Sequence, residues 1–355
     1  MKKLPLLLPM ILVAVSALAE AADAAKVVIA HRGASGYLPE HTLEAKVLAY
    51  AQGADYIEQD IGMTRDDALV VLHDDYLERV SDVRQQFPGR ARADGHFYIV
   101  DFTLAEIRQL QVSEAFVSTP EGDRAVFPGR FPLWHSNFRI HTLAEELELI
   151  QGLNQSTGRQ VGIYPEIKSP WFYRNEGKDI SLAVLTTLRH YGYQDSQDKV
   201  FLQSFDFDEL KRLHEELLPS LGMTIPLVQL IAENDWHETY TRTPEGNLTP
   251  YDYGWMHSAE GMRQLARYVE GVGPAYAMLI GAESTPDDIQ DTGLVGFAHA
   301  AGLLVHPYTL RLDAGQLPAY ARSFEELLAL LYVRLDADGV FTDFPDRAVA
   351  FVKGL

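Results

Sequence analysis

The 355-residue chain contains no cysteine. That absence excludes a disulfide framework, a thiolate zinc site, a thiol nucleophile and a lipidated cysteine anchor together. Any metal must therefore sit on carboxylate, histidine or carbonyl ligands. Positive charge is also scarce: 30 Lys and Arg stand against 50 Asp and Glu, a formal net charge of -20. Such a surface repels nucleic acid and anionic lipid. A small anion remains a candidate ligand, because a local cation can reverse the sign inside one pocket. Long apolar runs are missing beyond the N-terminus. Leu4–Leu18 is apolar except for Ser16, is shorter than the ~20 residues of a membrane span, and contains Pro5 and Pro9. It follows the basic Met1–Lys3 and precedes the small-x-small site Ala17-Leu18-Ala19, the pattern of a secretory signal peptide over 1–19, with cleavage up to residue 25 as the variant. Cleavage removes Lys2 and Lys3 and makes the mature protein more acidic. The expectation is a periplasmic protein with no stable membrane insertion. Internal repeats and low-complexity tracts are lacking as well.

Hydrophobic residues make up 47% and charged residues 23%, enough apolar material for a large core. Short apolar runs that read as strands are Val27–Ala30, Tyr56–Ile61, Ala68–Leu72, Val161–Ile167, Val200–Ser204, Ile225–Ile231, Tyr276–Ile280, Leu303–Pro307 and Gly339–Thr342. Most are followed by helical patterns. Helix starts are marked by the capping boxes Thr103/Glu106, Thr142/Glu145 and Ser323/Glu326, and a helix over Thr42–Ala51 is closed by Gly53. Too few residues separate Ile61 from Ala68 for a parallel crossover, so these two runs form a hairpin. Eight strands remain in β/α alternation, which predicts a (β/α)8 TIM barrel over 26–355. Two stretches rich in polar, aromatic, Gly and Pro residues, about 82–139 and 232–261, interrupt the alternation and read as insertions at the C-terminal face of the barrel.

A barrel of this kind carries its chemistry at the C-terminal ends of its strands. The first strand ends in His31-Arg32-Gly33. The second carries Glu58 and Asp60 on one face, and its hairpin returns His73-Asp74. The third ends with Glu166 and Lys168. Later strands end in Gln203-Ser204-Phe205, His306-Pro307-Tyr308 and Asp343-Phe344-Pro345. Glu58, Asp60 and Glu166 form a hard-cation site, suited to Ca2+ somewhat better than Mg2+. His31 and His73 provide a general acid and a general base. Arg32 and Lys168 can grip phosphate oxygens, and Gln203 and Tyr308 are further substrate contacts. Three carboxylates, one divalent cation and two basic side chains leave the pocket one positive charge, which fits a phosphodiester. Taken singly, each residue has a bland alternative: a surface carboxylate pair, a core histidine, or a structural Glu166–Lys168 ion pair. Glu40 reads equally as a helix-dipole residue or as a support for the metal ligands.

The series His31-Arg32-Gly33, Pro39-Glu40-His41-Thr42, Glu58-Gln59-Asp60, His73-Asp74, Glu166-Ile167-Lys168 and Thr342-Asp343-Phe344-Pro345 resembles the glycerophosphodiester phosphodiesterase family, across essentially the whole mature chain. Stretches around Gly36–Thr42 and His306–Arg311 look like its large periplasmic branch. His41 departs from the family pattern, where Asn is frequent. The resemblance implies a phospholipase-C-like phosphodiesterase barrel, a Ca2+ cofactor, and hydrolysis of glycerophosphodiesters to sn-glycerol 3-phosphate and an alcohol. It assigns His31 and His73 as the acid/base pair and Glu58, Asp60 and Glu166 as the metal ligands. Alternatives are another barrel phosphodiesterase acting on intact lipid, or a non-enzymatic periplasmic binding protein. The oligomeric state is left open, a homodimer being one reading. Few charged groups can be assigned to the side of the leaving alcohol, so weak head-group discrimination is expected.

Overall fold

The computed structural model describes residues 26–243 and 245–355; the signal peptide expected over 1–19 lies outside them. Eight parallel strands form the centre: β1 (Val27–Ala30), β2 (Tyr56–Met63), β3 (Gly162–Ile167), β4 (Leu202–Ser204), β5 (Leu227–Ile231), β6 (Gly271–Pro274), β7 (Leu304–Val305) and β8 (Gly339–Thr342). Their spatial order is β7-β6-β5-β4-β3-β2-β1-β8. Main-chain bonds close the ring between its two ends, Asp338 N–H to Val305 O at 3.0 Å and Phe341 N–H to Pro307 O at 3.0 Å. The result is the TIM barrel expected from the sequence.

Each strand is followed by a helix: α1 (Leu43–Gln52), α2 (Leu143–Thr157), α3 (Ile180–His190), α4 (Phe207–Arg212), α5 (Ala259–Leu265), α6 (Leu294–Ala300), α7 (Phe324–Ala329) and α8 (Pro345–Val352). Helix α1 starts at Thr42, whose hydroxyl accepts from Ala45 N–H, and ends at Gly53 in the left-handed region. The capping boxes at Thr103 and Thr142 are both complete. At Ser323 only half forms, because Glu326 accepts from Arg322 N–H instead. Leu69–Val71 pairs antiparallel with β2, as the short connection requires. Among the described residues, no helix is long and apolar enough to cross a membrane.

One strand expectation is corrected. Tyr276–Leu279 is a 3-10 turn, and the sixth barrel strand is the preceding Gly271–Pro274. A Gly-Val-Gly-Pro segment reads as a turn by composition. Here its glycines admit the neighbours: a Cβ on Gly273 would lie 2.7 Å from Leu230 Cδ2, and one on Gly271 3.2 Å from Leu304 O.

Inside the barrel, Ile29, Tyr164, Val228 and Phe341 pack as one buried cluster. Three of them lie two positions before His31, Glu166 and Asp343, so period-two alternation stacks the polar site directly on this apolar floor. His306 belongs to that layer: it is buried, and its Nδ1 meets Tyr164 Oη at 2.8 Å. A second core, built around Val70, Leu77, Phe102, Ile107 and Phe138, supports the long excursion between β2 and α2. That excursion also carries a hairpin of Phe116–Thr119 and Gly122–Ala125.

Candidate active site

At the C-terminal mouth lies a cavity of about 360 Å³, lined by His31, Arg32, Glu58, Asp60, His73, Glu166, Gln203 and Tyr308 among others. Eight of the nine residues singled out from the sequence thus share one wall system. The ninth, Lys168, lies beside it, with its Nζ 3.0 Å from Glu166 Oε1.

The carboxylates come from neighbouring strands. Asp60 pairs in register with Glu166, and Glu58 points to the same side of β2. One oxygen of each of Glu58, Asp60 and Glu166 falls within 4.8 Å of the others. All three are buried. Burial and the neighbouring carboxylate Asp60 push Glu58 up to about 8, and burial carries Glu166 well above the usual carboxylate range despite Lys168. Asp60 is held low by His41, whose Nε2 lies 2.7 Å from its Oδ2, while its other oxygen has no protein partner. Like charges forced together without solvent, and one unsatisfied buried oxygen, are the electrostatics of a cation cage. The donor set is all oxygen, so the residues fit a hard divalent cation.

Each histidine is fixed by a carboxylate. His31 Nδ1 lies 2.6 Å from Asp343 Oδ1, and His73 Nδ1 2.5 Å from Asp74 Oδ1. An ionised carboxylate only accepts, so Nδ1 carries the proton in both rings and Nε2 is left with its lone pair. Desolvation, and next the charge of Arg32, lower His31 to about 4 and His73 to about 3. Both rings therefore rest neutral. An arriving phosphodiester anion favours the protonated form and raises them.

Arginines hold these carboxylates in turn. Asp343 accepts from Arg130 Nη2 at 2.5 Å and Arg311 Nε at 3.0 Å. Asp74 accepts from Arg79 Nε at 2.6 Å. Glu40 bridges Arg79 and Arg32, with Arg32 Nη1 at 3.0 Å. It precedes the N-cap Thr42, so its partner is this pair of guanidiniums rather than the helix end. Arg32 adopts a left-handed φ of 58°, which aims its N–H at Glu58 Oε2, 2.7 Å away. Gln203 Nε2 donates to Glu58 Oε1 at 3.3 Å, and Tyr308 Oη donates to Ile231 O at 2.8 Å.

Behind the cage, His41 Nδ1 accepts from the buried Lys46 at 3.2 Å. Lys46 also donates to Glu58 O and pairs with Glu146 Oε1 at 3.0 Å. The His at position 41 thus links a cage carboxylate to a buried lysine. Sequence reasoning gave no role to Asp343, Asp74, Arg79, Arg130, Arg311 or Lys46. The adjacency of His73 and Asp74 was a usable signal. Asp343 was visible only as a strand-end acid, its partner lying on the first strand.

Comparison with known proteins agrees with this geometry. Residues 31–347 match the model of the "Glycerophosphoryl diester phosphodiesterase family". A glycerophosphodiester phosphodiesterase of Haemophilus influenzae is 52% identical, the match covering 93% of this chain and 90% of that one. A Treponema pallidum protein of the same description is 44% identical over 92% of each chain. Among solved structures, an Oleispira antarctica phosphodiesterase in complex with the product sn-glycerol-3-phosphate superposes with a TM-score of 0.59 at 22% identity, covering 92% of this chain and 96% of that one. A glycerophosphodiester phosphodiesterase from Agrobacterium tumefaciens gives 0.54 at 20% identity, covering 92% and 99%. At these identities the two structures speak for the barrel fold.

Proposed function

The chain belongs to the glycerophosphodiester phosphodiesterase family and is an enzyme of that kind; on that premise we propose that it hydrolyses deacylated phospholipids to sn-glycerol 3-phosphate and an alcohol, with Ca2+ on Glu58, Asp60 and Glu166 and proton transfer by His31 and His73. The observation that carries this reading is the convergence of two carboxylate-oriented imidazoles on a three-carboxylate cage in one cavity. A divalent cation bound there would polarise a phosphoryl oxygen. Arg32 and Lys168 are placed to hold the remaining phosphate charge. One imidazole Nε2 takes the proton of the attacking hydroxyl, either that of water or the glycerol 2-hydroxyl; in the second case the product is a cyclic phosphate, which water then opens to glycerol 3-phosphate. The other, protonated, gives its proton to the leaving alkoxide as the P–O bond breaks. Asp343 and Asp74 keep both Nδ1–H groups pointed away from the reacting atoms and stabilise the imidazolium form. Calcium is proposed before magnesium because an all-oxygen site at an open barrel mouth would suit a larger, more adaptable coordination sphere. The same reading places the enzyme in the periplasm, on the strength of the Met1–Ala19 signal pattern; N-terminal sequencing of the mature protein checks it.

The test is a coupled assay for glycerol 3-phosphate with glycerophosphoglycerol as substrate. Activity is expected to vanish in EGTA and return with Ca2+. His31→Ala and His73→Ala are each expected to lower kcat by ~10²–10⁴. The double variant falls well short of the product of the two, because the groups act as a unit. Full activity after exhaustive chelation overturns the cation assignment, and wild-type turnover in either variant removes that histidine.

A further inference from the structure

The barrel order makes the cavity two-sided. In an eight-membered ring, β1 faces β5 and β2 faces β6. The histidines and the carboxylate cage belong to β1, β2 with its hairpin, and β3. The opposite wall is made by residues following the facing strands: Phe205 after β4, Trp236 and Glu238 after β5, Tyr276 after β6 and Tyr308 after β7. This wall is chemically unlike the first. It presents four aromatic rings and one carboxylate; its one cation, Arg311, is paired with Asp343, and the Phe205 ring already lies 5.7 Å from Lys168 Nζ, which leaves Trp236, Tyr276, Tyr308 and Glu238 to meet a ligand.

Three features of the wall bear on what it could hold. Trp236 lines the cavity and is 47% exposed, so its ring is open to a ligand there. Glu238 is partly buried and, among the described residues, forms no ion pair within 4 Å; Lys168 pairs instead with Glu166. The hydroxyl of Tyr308 is spent on Ile231 O, so that residue offers the pocket its ring. Aromatic faces carry negative potential, and with a carboxylate beside them they make a site for an organic cation. A quaternary ammonium suits it best, having no N–H to satisfy.

We propose that this wall is the subsite for the leaving alcohol and that it selects a cationic amino-alcohol, a choline-type quaternary ammonium before a primary ammonium, over a neutral polyol. The assignment rests on the hydrolase reading above and sharpens it. In such a diester only two carbons separate the ester oxygen from the nitrogen. With the phosphate held at Arg32 and the cage, the cation therefore stays inside the same cavity. The proposal departs from the weak discrimination expected from sequence, where few charged groups could be placed on this side.

The experiment compares kcat/KM for glycerophosphocholine and glycerophosphoglycerol, both read as glycerol 3-phosphate released, in the Ca2+-loaded wild type, Glu238→Gln and Trp236→Ala. Wild type is expected to favour the choline diester by about tenfold or more, the scale of a desolvated cation–π site with a nearby counter-charge. Each substitution is expected to shrink that ratio about three- to tenfold, with the loss falling on the choline diester. Circular dichroism confirms that both variants are folded. Equal kcat/KM for the two diesters in wild type overturns the subsite. So does a Glu238→Gln variant that loses both substrates equally, since Glu238 would then serve Lys168 and the phosphate. Absence of turnover on either diester instead strikes the hydrolase reading itself, and the subsite falls with it.

Discussion

At the scale of single residues, both catalytic candidates are neutral imidazoles oriented by an ionised carboxylate that is itself paired with arginine. His31 is the clearest case. Its Nδ1 is anchored by Asp343, which two arginines hold in place, so the ring cannot rotate without giving up its bond to a fixed carboxylate. Asp343→Asn presents an amide that can donate to Nδ1 and so favours the wrong tautomer. It is expected to lower kcat by about 10²–10⁴ with little change in KM, in steady-state assays at fixed Ca2+. A second residue-scale prediction concerns Glu114. It is buried, one of its oxygens lacks a partner, and desolvation pushes it up to about 8. For an acid raised on folding, the native state keeps its proton while the unfolded chain loses it near the ordinary value. Stability is therefore full below about pH 4.5 and is lost as pH climbs toward 8. Glu114→Gln removes that loss. Its melting temperature is expected to match wild type near pH 4.5 and exceed it by about 2–5 °C at pH 8 in differential scanning fluorimetry. Legibility in the sequence follows chemistry at this scale. Glu58 and Asp60, or His31 and Arg32, sit side by side on a strand end and could be read directly. Arg79, Arg130 and Arg311 act across the mouth, with no local pattern around them to mark the role.

Among the elements, the β1–α1 turn sets the position of both His31 and Arg32. Gly33 has φ 86°, and a Cβ there would lie 2.8 Å from the carbonyl carbon of Ala45 in α1. Main-chain bonds from Gly33 N–H to Ala30 O and from Ala34 N–H to Ala45 O lock the same turn. Gly33→Ala is expected to cost about 2–4 kcal/mol, combining left-handed strain with a clash against backbone that cannot rotate away. A lower urea midpoint at unchanged slope checks it. The elements most legible in the sequence were those whose hydrophobic period and caps agree, such as α1 between Thr42 and Gly53. The miss at β6 has the opposite cause. Gly271–Pro274 has poor intrinsic strand propensity, and its place in the barrel is decided by how closely Leu230 and Leu304 approach it. No window of the sequence contains that information.

For the molecule as a whole, the balance of charge is in tension with the substrate. A chain of net charge -20 attracts no anion at long range, while the cavity is built to hold one. The repulsion acts over about 30 Å at 0.01 M salt and about 8 Å at 0.15 M. Raising ionic strength at constant Ca2+ is therefore expected to increase kcat/KM for the anionic glycerophosphoglycerol by about two- to fivefold. The zwitterionic choline diester should respond less. A fall in kcat/KM for the anionic diester would show that the local field of Arg32 and Lys168 governs encounter instead.

The pairing of β1 with β8, Val27 opposite Gly339 through Ala30 opposite Thr342, makes catalytic competence a property of the finished chain. The bond between His31 and Asp343 spans 312 positions. A nascent or truncated molecule that stops short of the last strand carries all three cage carboxylates in its sequence. It still holds an imidazole with nothing to orient it and an open seam along the first strand. On the proposed role of His31, turnover reports completeness: full activity is expected only once the last strand has met the first.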